Sequence, residues 1–229
     1  MGQRKYYEAY DERYQTAHQQ NIRWFGGESS PIVSEILEKY QIRPRMSLLE
    51  LGCGEGRDAQ ALLRRGYDLL ATDISREAIQ YCKNLCPEYT DRFQQLDCVC
   101  GSLEGRFDFI YGVAVVHMLL LDEDRDGFYR FISRHLTEGG IGLICSMGDG
   151  TVERCSDINT AFQLQEREAE GKTLWVAGTS CRMASFPTFE AEITRNGLEI
   201  LETGMTSIPL HFSHMMYAVV KGAEGSRCE

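Results

Sequence analysis

Apolar positions along this chain keep two rhythms. Short, nearly continuous apolar runs lie at residues 48–51, 69–72, 107–116 and 141–144. Runs of this length bounded by glycine or polar residues read as buried strands. Between them the apolar residues recur at helical spacing, as in Ala78, Ile79, Tyr81 and Cys82. Tyr7, Tyr10, Tyr14 and Ala17 are three, four and three apart, one face of an N-terminal helix. Residues 21–31, with Gly26-Gly27, read as a loop. Ser30-Pro31 then opens a second helix with Val33, Ile36, Leu37 and Tyr40 on its face. Near the end, residues 187–196 read as a helix, and 198–205 and 214–221 as two final strands. The stretch 148–186 fits neither rhythm. Glu166-Arg167-Glu168-Ala169-Glu170 reads as a solvated charge run, and residues 173–177 and 180–184 as a hairpin about Gly178-Thr179. The residues from Gly222 onward are polar and read as loose.

Composition narrows the class. A chain of 229 residues with 43% hydrophobic and 25% charged residues suits one α/β domain. A net charge of −10 argues against nucleic acid as a partner, since a phosphate backbone calls for a basic face. No apolar run reaches membrane-span length, and Met1-Gly2-Gln3-Arg4-Lys5-Tyr6-Tyr7 lacks the apolar core of a signal peptide. Nine cysteines without framework spacing read as reduced thiols, so a cytoplasmic protein with no membrane contact is expected. Cys82, Cys86, Cys98 and Cys100 form C-x3-C and C-x-C pairs, neither a familiar zinc spacing, so no metal is expected.

The chemistry concentrates at Glu50-Leu51-Gly52-Cys53-Gly54-Glu55-Gly56-Arg57, with Asp73 ending the next run. Glycines let a backbone turn sharply and approach a ligand closely. An acid at the end of the next strand is placed to bind a ribose diol. A dinucleotide site wants G-x-G-x-x-G, and its third glycine position is Arg57 here. The third glycine is Gly56, and an acid, Glu50, stands inside the strand. A glycine turn flanked by two acids suits S-adenosylmethionine, which carries an amino acid head and a sulfonium and has no phosphate.

The spacing E-x-G-x-G-x-G resembles motif I of the class I S-adenosylmethionine-dependent methyltransferases. The resemblance continues from Met46 to Met147 through Phe93-Gln94-Gln95-Leu96-Asp97-Cys98, Arg106-Phe107-Asp108-Phe109-Ile110-Tyr111-Gly112-Val113 and Leu136-Thr137-Glu138-Gly139-Gly140. It implies a Rossmann-like, seven-stranded, mostly parallel sheet with helices on both faces. With the element pattern above it gives one domain: an N-terminal helical lid and packing helix (1–41), the cofactor core that carries the resemblance (46–147), an insertion over the acceptor site (148–186) and a last helix with two strands (187–221). S-adenosylmethionine is the cofactor implied, held by Glu50, Gly52, Cys53, Gly54, Gly56, Asp73, Ile74, Asp97, Cys98, Gly112 and Val113. In this family Asp97 would meet the adenine amino group. Gly52 to Ala59, Arg65-Gly66-Tyr67-Asp68 and Val116-His117-Met118-Leu119 look like the tellurite-resistance and thiopurine methyltransferase-like group, whose members methylate small soft nucleophiles.

Methyl transfer from a sulfonium is an in-line displacement with a neutral leaving group. Catalysis then rests on alignment, and a base is needed only for a protonated nucleophile. His117 is the candidate base. Tyr10, Tyr14, Trp24, His117 and Arg182 are the candidates for the acceptor pocket, with His211 and His214 behind them. The expected acceptor is a small molecule bearing a thiol, amine, hydroxyl or metalloid. The alternatives are a methyltransferase acting on protein or nucleic acid, and an S-adenosylmethionine-binding module without catalysis.

Overall fold

In the computed structural model, residues 4–209 and 211–223 are described. The start of the signal-peptide reading (residues 1–3) and the end of the loose tail (224–229) lie outside them.

The strands form where the apolar runs are. β1 (Ser47–Leu51), β2 (Asp68–Asp73), β3 (Phe93–Gln95), β4 (Phe107–Val113), β5 (Leu136–Met147), β10 (Leu198–Ile208) and β11 (Phe212–Gly222) make one sheet, in the order β10-β11-β5-β4-β1-β2-β3. β1, β2, β3, β4 and β5 pair in parallel, while β11 runs antiparallel to β5 and β10 to β11.

Helices cover both faces. α2 (Pro31–Lys39), α3 (Arg57–Arg64) and α4 (Arg76–Leu85) put Ile36, Leu62 and Ile79 against Leu48, Phe109 and Leu143. α5 (Asp122–His135) and α6 (Phe186–Arg195) put Phe128, Ile132 and Phe189 against Leu49, Ile110 and Ile144. Neighbouring strand residues such as Leu48 and Leu49 thus serve opposite cores, which is why these runs are apolar throughout rather than alternating. Each such side chain, fully buried, contributes about 1.5–3 kcal/mol.

The chain leaves β1 toward β2 and β3 on one side, and returns to β4 and β5 on the other. The crevice at the carboxyl ends of β1 and β4 is therefore the switch point where open α/β sheets bind ligands.

Two segments stand outside this frame, and they pack on each other. α1 (Ala9–Gln19) lays Ala17 on Leu174 and Val176 of β8 (Lys172–Ala177). β8 pairs with β7 (Leu164–Ala169), and β6 (Arg154–Cys155) with β9 (Arg182–Met183). The hairpin is therefore not about Gly178-Thr179, and the charge run is itself a strand. The turn is Glu170-Gly171, both at positive φ (48° and 72°), between the paired Ala169 and Lys172. A two-residue turn with both φ values positive suits the twist of a hairpin. Among the described residues no helix is long and apolar enough to cross a membrane.

Candidate functional site

A cleft opens at the switch point. Its floor is the turn from β1 into α3. Gly52 and Gly54 both take positive φ (73° and 53°). A Cβ on Gly52 would lie 2.4 Å from Val115 Cγ2, and one on Gly54 2.8 Å from the Tyr14 hydroxyl. Only glycine leaves this floor open.

The walls are acidic. Glu50, Asp58 and Asp73 all line the cleft and are almost wholly buried. Asp73 accepts the Gly54 N–H (2.8 Å) through one oxygen and the Ser75 N–H (2.8 Å) through the other. Burial still raises its pKa to about 6. Glu50 Oε2 is buried and makes no hydrogen bond of ordinary geometry, with the Tyr111 hydroxyl as the neighbouring group that can donate to this carboxylate. Burial, then the negative charge of Asp58, pushes the Glu50 carboxyl well above its usual range. Arg57 also lines the cleft and pairs with Asp58 (3.4 Å), which leaves Glu50 and Asp73 as the carboxyls open to a cationic ligand.

Of the residues expected to hold cofactor, Glu50, Gly52, Cys53, Gly54, Asp73, Ile74, Asp97, Cys98 and Val113 line this cleft. Gly56 and Gly112 do not. A Cβ on Gly56 would meet Cys82 Sγ at 2.8 Å, and one on Gly112 would meet Phe128 Cζ at 3.1 Å. Both glycines serve helix–sheet packing. Asp97 is already well occupied: Lys5 Nζ (3.2 Å), the Tyr7 hydroxyl (3.2 Å) and Cys100 Sγ (3.1 Å) all donate to Oδ2, and Val99 N–H to Oδ1 (2.8 Å). For an adenine amino group to bind there, Lys5 or Tyr7 must yield.

Three of the residues expected at the acceptor site do not line the cleft. His117 is 1% exposed and sits behind Phe212, its ring 5.7 Å away, with Nδ1 accepting the Met147 N–H. Burial, reinforced by the Arg125 cation, lowers its pKa to about 3, which makes it a weak base with no access to the cleft. Trp24 packs beside Arg13, 4.8 Å from its guanidinium, and against the Ala17–Leu174 cluster, while its backbone N–H donates to Glu55. Arg182 braces the turn after β4, donating to the Leu120 carbonyl and to Asp122 (2.7 Å each). Tyr10 and Tyr14 do reach the cleft. His211 holds the Gly26 carbonyl (2.6 Å), and His214 meets Ser213.

Sequence reasoning passed over Glu55, which is 1% exposed. Its carboxylate takes the N–H of Trp24 (2.8 Å), the N–H of Phe25 (2.5 Å) and His18 Nε2 (2.9 Å), while His18 Nδ1 meets Glu77 (2.9 Å). Asp11 in turn accepts the Ser75 hydroxyl and the Glu77 N–H at the start of α4. These contacts latch the N-terminal segment over the cleft. Only the position of Glu55, between two glycines of the turn, hinted at it. Glu55→Ala is expected to expose residues 5–25 to limited proteolysis while the sheet persists, since each orphaned donor costs about 1–3 kcal/mol. Burial lowers the His18 pKa, but Glu55 and Glu77 outweigh it and the net shift is upward. The histidine part of the latch is therefore complete below its unfolded pKa, about 6.5, and is lost as pH rises through the folded value. Cleavage of wild-type protein should accelerate on the alkaline side. Cleavage at the same rate in Glu55→Ala and wild type would refute the latch.

Comparison with known proteins agrees with this geometry. Residues 49–141 match the model of a methyltransferase domain family. A stretch of 95 residues is 30% identical to the O-antigen chain terminator bifunctional methyltransferase/kinase WbdD of Escherichia coli. That stretch is 39% of this chain and 13% of the relative, so the chain spans only a small part of the relative's length. Among solved structures, the methyltransferase CcbJ from Streptomyces caelestis superposes with a TM-score of 0.70 at 14% identity, over 96% of this chain and 100% of that one. The 1,6-didemethyltoxoflavin-N1-methyltransferase of Burkholderia thailandensis gives 0.70 at 16% identity, over 94% and 88%. The sheet and its flanking helices thus have the class I methyltransferase fold.

Proposed function

We propose that this chain is an S-adenosylmethionine-dependent methyltransferase acting on a small-molecule acceptor. The observation that carries the reading is the buried Glu50 carboxylate beside the glycine floor, with Asp73 at the next strand end. The methyltransferase domain match over residues 49–141 supports it, as does the Burkholderia relative by fold, whose structure holds S-adenosylhomocysteine and a small-molecule substrate.

S-adenosylmethionine, when bound, supplies an electrophilic methyl group on a sulfonium. The chain's part is positional. Glu50 would receive the ammonium of the methionine head, which gives its carboxylate a cation and brings its pKa back down. Asp73 would accept the ribose hydroxyls. Tyr10, Tyr14 and Phe25 close the cleft from the N-terminal side and exclude water. No histidine is among the residues lining the cleft, so an acceptor that arrives deprotonated asks least of the chain, while a protonated one would give its proton to a lining carboxylate or to solvent. A soft thiol-like nucleophile, as in the tellurite-resistance and thiopurine-like group, meets that condition.

Calorimetry is the test. S-adenosylmethionine and S-adenosylhomocysteine should bind and NAD should not, and bound cofactor should slow proteolysis of the N-terminal segment. Affinity should fall as pH drops through about 6, where Asp73 takes up a proton and loses an acceptor. Binding of NAD without either adenosyl compound would overturn the reading.

A further inference from the structure

A second cavity, of about 570 Å³, lies in the insertion beside the cleft. Three arginines line it: Arg13, Arg154 and Arg167. None makes an ion pair among the described residues. Arg13 is 5% exposed, and its Nε and Nη2 both donate to the Ala177 carbonyl. Arg167 is held by the Glu166 carbonyl and the Gln165 side chain. The acid in the lining, Asp157, accepts the Asn159 N–H and side-chain amide at the start of a short helical turn. Burial and the like charge of Arg167 depress the Arg13 pKa. A buried guanidinium near a second cation, in a protein of net charge −10, lacks a counter-charge.

The two cavities share a wall. Tyr10 lines the cleft and neighbours Thr179, which lines the second cavity. Arg13 lies 5.2 Å from the Tyr10 ring centre. Met147, the last residue of β5, lines the second cavity, just as Val113 at the end of the neighbouring β4 lines the cleft. The acidic cleft suits a cationic methyl donor, and the basic cavity next to it suits an anion.

We infer that this arginine-lined cavity seats an acidic group of the methyl acceptor, so that the acceptor is a small molecule carrying a carboxylate or a phosphate. The inference rests on the methyltransferase reading for what the bound molecule becomes, while the cavity's preference for anions stands apart from it. Arginine presents paired N–H donors that match both oxyanions.

The test uses protein loaded with S-adenosylhomocysteine and three probes: benzoate, phenyl phosphate and the neutral benzamide, each titrated by ligand-observed NMR. At least one anion should bind saturably, with benzamide weaker by about tenfold or more. The tighter anion identifies the acidic group. The double variant Arg154→Gln/Arg167→Gln, on exposed positions, should lose about tenfold or more in anion affinity and keep its affinity for S-adenosylhomocysteine. Absence of saturable anion binding, equal binding of benzamide, or an unchanged double variant would each overturn the inference. Calorimetry with S-adenosylhomocysteine separates the two readings. If it fails to bind, the cofactor assignment falls, and the same anion titration on unloaded protein still decides the cavity.

Discussion

Arg125→Ala is expected to destabilise the protein by about 3–5 kcal/mol, lowering its melting temperature by roughly 6–20 °C. Arg125 is wholly buried and grips Glu192 of α6 with two parallel hydrogen bonds, Nε to Oε1 (2.8 Å) and Nη2 to Oε2 (2.6 Å). Tyr129 donates a third to the same carboxylate (3.0 Å). The alanine variant would leave Glu192, buried, with only the longer contact to Arg182 (3.6 Å) in place of its paired hydrogen bonds. A typical domain has only about 5–15 kcal/mol in total, so the loss is severe. The damage should also reach the cleft. Arg125 Nη1 holds the Val116 carbonyl (2.7 Å), and the turn that follows β4 supplies Val115, Met118 and Leu119 to the cleft wall. Replacing both partners, Arg125→Met with Glu192→Leu, should recover much of the stability, because the cost lies in stranding one charge rather than in losing the pair. Thermal melts of the three proteins check this. An Arg125→Ala melting temperature equal to wild type would refute it.

The core was legible because it is local. β1, the glycine turn and Asp73 lie within 27 consecutive residues, and each is written in residue types whose conformations are restricted. The strand order follows from the class those elements imply. What could not be read depends on who faces whom. Gly56 and Gly112 have the residue type of a ligand contact, yet the atoms they must avoid belong to Cys82 and Phe128, 26 and 16 residues away. His117 has the chemistry of a base, and only the packing of Phe212 and the nearness of Arg125 show that it is sealed and neutral. Arg182 looks like a substrate ligand until Asp122 and the Leu120 carbonyl claim it. The β7–β8 hairpin was hidden because its turn is Glu170-Gly171 and one strand is mostly charged, whereas hairpins are best signalled by Asn-Gly or Asp-Gly between alternating apolar residues. Asp73 carries a further lesson. It is both a ribose candidate and the acceptor for the Gly54 and Ser75 N–H groups, so Asp73→Ala should weaken the turn as well as the ligand, and the cleaner probe of the site lies elsewhere.

That probe is Glu50→Gln, for which stability and binding should move in opposite directions. The glutamine has nearly the same volume, so packing is kept. In the unliganded protein the Glu50 pKa stands well above its unfolded value, through burial and the charge of Asp58. An acid with a raised folded pKa takes stability away as pH climbs above the unfolded pKa, near 4.3, because the unfolded chain ionises first. The variant has no such penalty. Its melting temperature should therefore exceed that of wild type at pH 7.5, and the gap should close near pH 4. For the cofactor the sign reverses. The carboxylate has no cation bonded to it in the unliganded protein, and a charge-assisted bond to the ammonium is worth about 1.5–3 kcal/mol. Glu50→Gln should therefore bind S-adenosylmethionine roughly ten- to a hundredfold more weakly, by that magnitude. A residue kept only for packing would show neither the pH-dependent gain nor the loss of affinity. Melts at the two pH values with calorimetry on the same samples decide the matter: equal affinity in a folded variant would remove Glu50 from the site, and a destabilised variant would mean that its carboxylate is structural.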